Sequence, residues 1–564
     1  MTSRVTGRDA RSRHREQRPA PTPGGRFATT PAGPALLAAL AAGLCLLLAF
    51  PPYGLWALFP VGLALLTLAV HTRTAPVALA AGVVAGLAFF LPLTEWANMY
   101  AGATPWVALA VFEALYLVVY AALAHLVLRR RGPGLVSALM LALLWGAVEV
   151  LRSTVPWGGL SWGIAAFSQS ASPLLNLGPW TGVFGLGVVV ALLGQLLGLG
   201  LFALLGRVRG GDRLRGLWPV SAVIAVVLAC LLVPHPSLER TGSLRIAGVQ
   251  GNVDPIEPQQ LVMPETTFSH HLDVTDQVIA EARDAREPLD LIVWPEDSVG
   301  WDPRQDTARG DALAQRARDA GAPLIVGTQS LDAQERRWNL ALQYDADGRV
   351  VDSYAKRHPV PFGEYIPARD VFRRLSDKVE LVPVDMSAGS EPGLMQVRGR
   401  TIGVLICFEI AYEELVQDLV DGGAEVIVVQ SNNALFGDSY ESIQQLAQAR
   451  VMAVVSGRSI VHVSTVGESA IYTPDGRQLA FVDHWEAGAV AADVPLMSGH
   501  TPAMLADRLI PLGIVVGAMA ALAATLLRRP VPRSGAGSTR GASAAADGRG
   551  GIGPRRTTGR GTRG

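Results

Sequence analysis

Glu296 and Cys407 each stand at the end of an apolar run, and Lys356 lies between them in the chain. Cys407 follows Thr401-Ile-Gly-Val-Leu-Ile and precedes Phe408-Glu-Ile-Ala-Tyr-Glu-Glu, a strand giving way to a helical stretch. A thiol at such a turn lies near backbone N–H groups and a helix N-terminus, which stabilise a thiolate and can donate to an oxyanion. Glu296 closes Leu291-Ile-Val-Trp-Pro-Glu. A carboxylate at the end of a buried strand is partly desolvated, a setting suited to a working base. Lys356 sits in Tyr354-Ala-Lys-Arg-His-Pro-Val-Pro-Phe-Gly-Glu-Tyr-Ile-Pro, where its ammonium could hold the oxygen of a tetrahedral intermediate. Glu364, eight residues on, could orient Lys356 or the proton acceptor, and Pro359, Pro361 and Gly363 make that segment a rigid loop.

Taken singly, a buried Cys is more often packing, a loop Glu solvated and a Lys on the surface. Their conjunction in one domain points to nucleophilic catalysis. On that reading Glu296 would take the thiol proton, the thiolate would attack an acyl ester, Lys356 and a backbone N–H would hold the oxyanion, and a thioester would form. Only two of the 48 Lys and Arg residues are lysines, Lys356 and Lys378. Arginine is planar and always charged, whereas lysine is a compact ammonium on a flexible stem. Of the three cysteines, Cys45 and Cys230 lie in apolar runs as packing residues. Cys407 therefore has no disulfide partner within its own domain.

The elements that position these groups separate by composition. Half the residues are apolar, concentrated in 34–233 and 508–527, whereas 243–497 has the mixed composition of a water-exposed unit. Eight candidate membrane spans follow: 34–50, 54–70, 76–94, 105–128, 134–152, 177–205, 217–233 and 508–527. The sixth is long enough to tilt or break. The tails, 1–33 and 528–564, are Arg-rich without apolar period and read as disordered. The basic segments are the N-terminal tail, the loop holding Arg73, 129–131, 207–215 and the C-terminal tail. These are alternate connections, so the positive-inside rule places them and both termini in the cytoplasm. The arginine-poor connections 51–53, 95–104 and 153–176, with the domain after span seven, then fall outside. The chain carries 48 basic and 48 acidic residues, giving no global signal for nucleic acid.

Within 243–497, strands are expected at 244–250, 289–294, 324–328, 340–344, 401–406, 425–430 and 459–464, with helices at 266–286, 308–320, 413–419 and 441–455. Mixed units of this kind give an α/β domain of sheets covered by helices. Among ionisable residues in the spans, Glu149 and Arg152 are spaced to pair, and Glu113 lies toward the same end. His270 and His271 read as solvated, and Gly194-x-x-x-Gly198 as a helix-packing motif.

Trp294-Pro-Glu296, Lys356 with Pro361-Phe-Gly-Glu364-Tyr, and Ile406-Cys407-Phe408-Glu409 together resemble the Glu-Lys-Cys signatures of the nitrilase superfamily. With eight flanking spans, the whole of 34–527 resembles the apolipoprotein N-acyltransferase family. Phe50-Pro-Pro-Tyr, the stretch 145–152, Ser431-Asn-Asn433, Phe436-Gly437 and the segment 445–458 share in that likeness. Two positions depart from the family's pattern: no Trp follows the first strand in 250–258, and Leu435 stands where Trp often precedes Phe-Gly.

The resemblance implies a multi-pass α-helical membrane bundle carrying an extracytoplasmic αββα nitrilase-like domain, in a bacterial cytoplasmic membrane. It implies Glu296, Lys356 and Cys407 as catalytic residues, with Glu364, Phe408 and Glu409 in support. The donor would be a phospholipid and the acceptor the N-terminal cysteine amine of a diacylglyceryl lipoprotein, with no cofactor or metal. Phe408 can supply an apolar wall but no hydroxyl. The alternative is a membrane-tethered amidase that gives the acyl group to water.

Overall fold

The computed structural model of the chain describes residues 29–72, 74–205, 218–254, 265–506 and 508–528. The disordered tails expected at the two ends, Arg73 and the basic connection 207–215 lie outside the described residues, apart from the few tail residues 29–33 and 528.

Crossing about 30 Å of hydrocarbon takes roughly 20 apolar residues in helix. Among the described residues, Ala75–Leu93, Ala103–Arg131, Leu135–Arg152, Pro173–Leu204 and Leu509–Leu527 are long and apolar enough to do so. Ala32–Leu48, Leu58–Val70 and Trp218–Cys230 are shorter apolar helices. Small residues let the helices touch: a Cβ on Gly194 would meet Leu63 Cβ at 2.7 Å and Pro60 O at 2.8 Å. Gly194-x-x-x-Gly198 thus packs one helix on another, as its spacing implies. The helix Gly178–Leu204 breaks at Gly182, whose φ of 67° and ψ of −177° are non-helical. The amide after the break, Val183 N, donates to the Glu413 carboxylate at 3.1 and 3.2 Å.

The two ends of the bundle differ. At one, Arg130 donates to Thr525 O (3.2 Å) and Leu526 O (2.8 Å), and Arg131 to Ala524 O (2.7 Å). These cations satisfy the last carbonyls of Leu509–Leu527 and complement its dipole. At the other end, each arginine-poor connection touches the β-rich part of the molecule. Gln444 Nε2 donates to Pro51 O (3.4 Å), Tyr100 OH to Gly363 O (3.0 Å), Tyr412 OH to Gly159 O (3.0 Å), and Trp162 Nε1 to Gln444 Oε1 (2.7 Å).

Among the described residues, that part holds twelve strands in two sheets. They are β1 (Glu239–Gln250), β2 (Leu291–Val293), β3 (Leu324–Leu331), β4 (Arg337–Tyr344), β5 (Val350–Ala355), β6 (Leu394–Val397), β7 (Arg400–Ile406), β8 (Val426–Ser431), β9 (Ser459–Ser464), β10 (Ser469–Tyr472), β11 (Gln478–Val482) and β12 (Gly488–Ser498). One sheet runs β12-β1-β2-β3-β4-β5 and the other β11-β10-β9-β8-β7-β6. Parallel strands lie at the middle of each and antiparallel ones at the edges. The sheets face each other closely enough that a Cβ on Gly248 of β1 would meet Val463 of β9 at 2.5 Å.

The helices Glu265–Ala285 and Thr307–Ala320 pack on the first sheet through a shared apolar core. Glu265–Ala285 buries Thr267, Phe268, His271, Val274, Thr275, Val278 and Ile279, a stripe at helical spacing. The helix Glu441–Ser456 is different: all but two of its 16 residues are buried. It lies between the second sheet and the bundle, where Gly178 approaches Val455, so it has no solvent face. One apolar core runs through it from the bundle into the sandwich.

Two expectations need correction. His271 is fully buried and tilted against Trp294 at 5.3 Å, with Nδ1 bound to Thr267 O at 2.7 Å, because its helix face is the core face. Arg152 does not take Glu149 as its salt-bridge partner. It pairs with Glu113 of the neighbouring helix at 3.1 Å, while Glu149 Oε1 accepts from Ala165 N at 2.7 Å. The two acids face different neighbours, and position along one helix cannot reveal that.

Candidate active site

The site gathers at the carboxyl ends of β2, β5, β7 and β8, where strands release the chain into loops, the usual place for chemistry in open α/β sheets. Gln430 Nε2 at the end of β8 donates to Trp294 O at 2.6 Å and ties the two sheets together there. Glu296 follows β2 by way of Trp294 and Pro295, Lys356 follows β5 directly, and Cys407 follows β7.

Lys356, 1% exposed, places Nζ 3.1 Å from Glu296 Oε1 and 2.9 Å from Glu364 Oε1. Asn339 Nδ2 bridges the same two oxygens at 2.6 and 3.2 Å. The other oxygens are also held, Glu296 Oε2 by Asn432 N (3.0 Å) and Glu364 Oε2 by Val360 N (2.6 Å). Two carboxylates therefore share one ammonium in a site nearly closed to water. Burial pulls the Lys356 pKa down, but Glu296 and Glu364 more than offset it and hold it well above the ordinary lysine value.

Cys407 is buried, and its φ of 57° lies in the left-handed region that non-glycine residues rarely occupy. A strained nucleophile turn of this kind exposes the side-chain atom at the end of a strand. Glu409 accounts for how the turn is held. Its Oε2 accepts from Ile406 N (2.8 Å), and its Oε1 accepts from Arg357 N (2.7 Å) and His358 N (3.0 Å). Tyr354 OH donates to both oxygens at 2.9 Å. Fully buried, Glu409 stitches the cysteine turn to the two residues after Lys356. Phe408 lies 4.9 Å from the Trp162 ring and 5.5 Å from Trp96, with Phe436 at 6.1 Å. The wall beside the sulfur is thus aromatic, built half from the bundle.

The electrostatics set a direction for proton transfer. Burial pushes the Cys407 thiol well above its ordinary value and Glu296 adds to the shift, while Lys356 pulls part of the way back. The resting thiol is neutral. With two acids around one ammonium, ionising it into the site would add a second net negative charge, which a low-dielectric pocket opposes. A proton passed from the sulfur to Glu296 would leave the site's charge unchanged beside the Lys356 cation.

Several residues of the site escaped sequence reasoning. Asn339, 2% exposed, was legible as a polar residue in Arg337-Trp-Asn-Leu-Ala-Leu-Gln-Tyr, but the strand was expected to begin one residue later. Asp297 is partly buried at a φ of 59°, and desolvation with the Glu296 charge lifts its pKa to about 7. It binds Gln329 and carries no signal beyond adjacency to Glu296. Gln445 Nε2 approaches Cys407 Sγ at 3.6 Å from the buried helix.

A sandwich of two six-stranded sheets with Glu, Lys and Cys at its strand ends defines a carbon-nitrogen hydrolase domain, here joined to an apolar helix bundle. Residues 245–500 match the carbon-nitrogen hydrolase family, and residues 42–196 match the apolipoprotein N-acyltransferase N-terminal domain. An apolipoprotein N-acyltransferase of Pseudomonas putida is 30% identical over 87% of this chain and 96% of its own. That of Mycolicibacterium smegmatis is 30% identical over 87% of this chain and 85% of its own. Among solved structures, an amidase from Nesterenkonia sp. aligns at 22% identity and a TM-score of 0.36, over 49% of this chain and 98% of that one. The chain belongs to the apolipoprotein N-acyltransferase family.

Proposed function

We propose that Glu296, Lys356 and Cys407 transfer a fatty acyl chain from a phospholipid to the N-terminal cysteine amine of a diacylglyceryl lipoprotein. Glu296 takes the proton of Cys407 as the sulfur attacks the acyl ester. Lys356 and a backbone N–H hold the oxyanion, the lysophospholipid leaves with a proton returned from Glu296, and a thioester remains on Cys407. The acceptor amine attacks that thioester, and Glu296 removes its proton and passes it to the departing Cys407 sulfur as the amide forms. Glu364 holds Lys356 in place, Glu409 holds the cysteine turn, and Phe408 walls the acyl side. The acyl-enzyme carries the intermediate, so the reaction calls for no metal or organic cofactor.

The observation that carries this reading is Lys356 Nζ, bridged between Glu296 and Glu364 and close enough to Cys407 for its charge to shift the thiol. Arginine placement supports the membrane orientation: residues 129–131 and both tails in the cytoplasm, and the sandwich on the outer face of a bacterial cytoplasmic membrane. The segments follow as a bundle over 34–233 and 508–527 around a catalytic domain over 243–497. Incubation of the full-length protein with a phospholipid and a diacylglyceryl lipopeptide, followed by mass spectrometry, tests the reading. N-acylated lipopeptide with lysophospholipid is the expected pair. Free fatty acid without N-acylated peptide would assign the chain to hydrolysis.

A further inference from the structure

The Glu441–Ser456 helix carries a buried polar chain that ends on the reactive sulfur. Ser464 Oγ donates to Asn433 Oδ1, which fixes which way the Asn433 amide points. Its Nδ2 then meets Glu441 Oε2 at 2.5 Å and Gln445 Oε1 at 3.1 Å. Gln445 Oε1 also meets His462 Nε2 at 3.3 Å, and His462 Nε2 lies 3.2 Å from Ser431 Oγ. With its oxygen held by the Asn433 amide, Gln445 presents Nε2 to Cys407 Sγ, at 3.6 Å. Glu441, Gln445, His462 and Ser464 are fully buried and Asn433 is 1% exposed, so water does not compete for these bonds.

We propose that Gln445 is a catalytic residue that donates an amide N–H to the Cys407 sulfur, and that Glu441 is the positioning residue that aims it through Asn433. The N–H···S contact is weak to a thiol and becomes charge-assisted once the sulfur carries negative charge. An interaction that strengthens as charge develops lowers the barrier, where one that is equally strong throughout does not. Glu441 has to accept from Asn433. If it cannot, the Asn433 amide is free to turn, the Gln445 oxygen loses a donor, and its carbonyl can swing toward the sulfur. Burial, with Glu468 and Glu296 nearby, lifts the Glu441 pKa to about 8. The relay therefore needs an oxygen acceptor at 441 and no full charge. The ionisable groups facing the sulfur are Glu296, Lys356, Glu364 and Glu441.

The inference rests on Cys407 being the nucleophile, and the test separates the two. Full-length protein in lipid nanodiscs, with Cys45→Ala and Cys230→Ala to leave one thiol, is titrated with iodoacetamide across pH and assayed for kcat and KM with a lipopeptide. Gln445→Leu is expected to slow alkylation at a fixed pH about tenfold and move its midpoint upward, with kcat falling by about as much and KM little changed. Glu441→Leu should act in the same direction, and Glu441→Gln should restore wild-type behaviour because its amide oxygen still accepts. A Gln445→Leu profile identical to wild type would overturn the relay, as would Glu441→Gln failing as badly as Glu441→Leu. If the wild type forms no acyl adduct at Cys407, the catalytic reading fails first and independently.

Discussion

Two clusters of buried charge lie on either side of the seam between bundle and sandwich, and they are built on opposite plans. In the bundle, Arg152 sets one nitrogen, Nη1, against Glu113 Oε2 (3.1 Å), Leu160 O (3.1 Å) and Trp162 O (2.6 Å), with its guanidinium over the Phe90 ring. Every partner is fixed, and the result is a clamp on the loop that brings Trp162 against Phe408. In the sandwich, Lys356 faces two carboxylates and a sulfur that can exchange a proton with one of them. A matched pair of one cation and one anion holds shape, whereas an unmatched set stays one proton away from rearrangement. The first should govern folding and the second turnover.

The largest expected effects break the second cluster. Cys407→Ser should cost on the order of 10³-fold or more in lipopeptide N-acylation, because an alcohol is far less ionised than a thiol and Glu296 cannot make up the difference. Lys356→Arg should lose roughly 10²-fold or more despite retained charge, since a planar guanidinium does not fit between Glu296 and Glu364. Both proteins should melt near the wild-type temperature.

Breaking the first cluster should do the reverse. Arg152→Met leaves Glu113 buried without its cation and should cost about 3 kcal/mol of stability, seen in unfolding of the detergent-solubilised protein. The double variant Arg152→Met/Glu113→Leu should recover much of that loss. Activity per folded molecule should fall far less than in Lys356→Arg. Equal losses of activity would erase the distinction between the clusters.

Smaller effects sharpen it. Burial lowers the pKa of both His271 and His462 to about 4. Each binds a proton more readily when unfolded, so the stability it contributes is complete above about pH 6.5. That contribution is lost as pH falls from there toward 4. Melting temperatures should drop across that window, and the slope should flatten in a His271→Gln/His462→Gln variant. Smallest is Gly182→Ala, whose Cβ would lie 2.6 Å from Glu413 Oε1 at a backbone conformation that disfavours side chains. It should cost about 1–2 kcal/mol, read as a lower melting temperature with the active site intact.

Much of this was legible before the structure. Apolar runs marked the bundle helices, and the long sixth run does break, at Gly182. Glu296 and Cys407 announced themselves because each closes an apolar run, and Lys356 because it opens a rigid loop rich in Pro and Gly. The edge strands β5, β6, β11 and β12, and β10 beside β11, did not. β5 is largely exposed, and β12, with its alanines and a proline, has little strand propensity and is held by pairing along β1. Glu113 as the partner of Arg152, and Gln445 beside Cys407, depend on contacts 39 and 38 residues away in sequence. Local pattern carries no trace of such pairs. The buried polar face of Glu441–Ser456 was equally hidden, since glutamines on a helix ordinarily mean solvent.

Acyl transfer by this chain turns on whether the sulfur at 407 accepts an acyl chain directly from lipid. Peptide-level mass spectrometry after incubation with phospholipid, in the absence of any acceptor, measures this. One fatty acyl group on the Cys407 peptide is the predicted result, absent in Cys407→Ala and in Lys356→Arg. Steady turnover with the thiol at 407 unmodified, or an acyl group resident on another side chain, would contradict it.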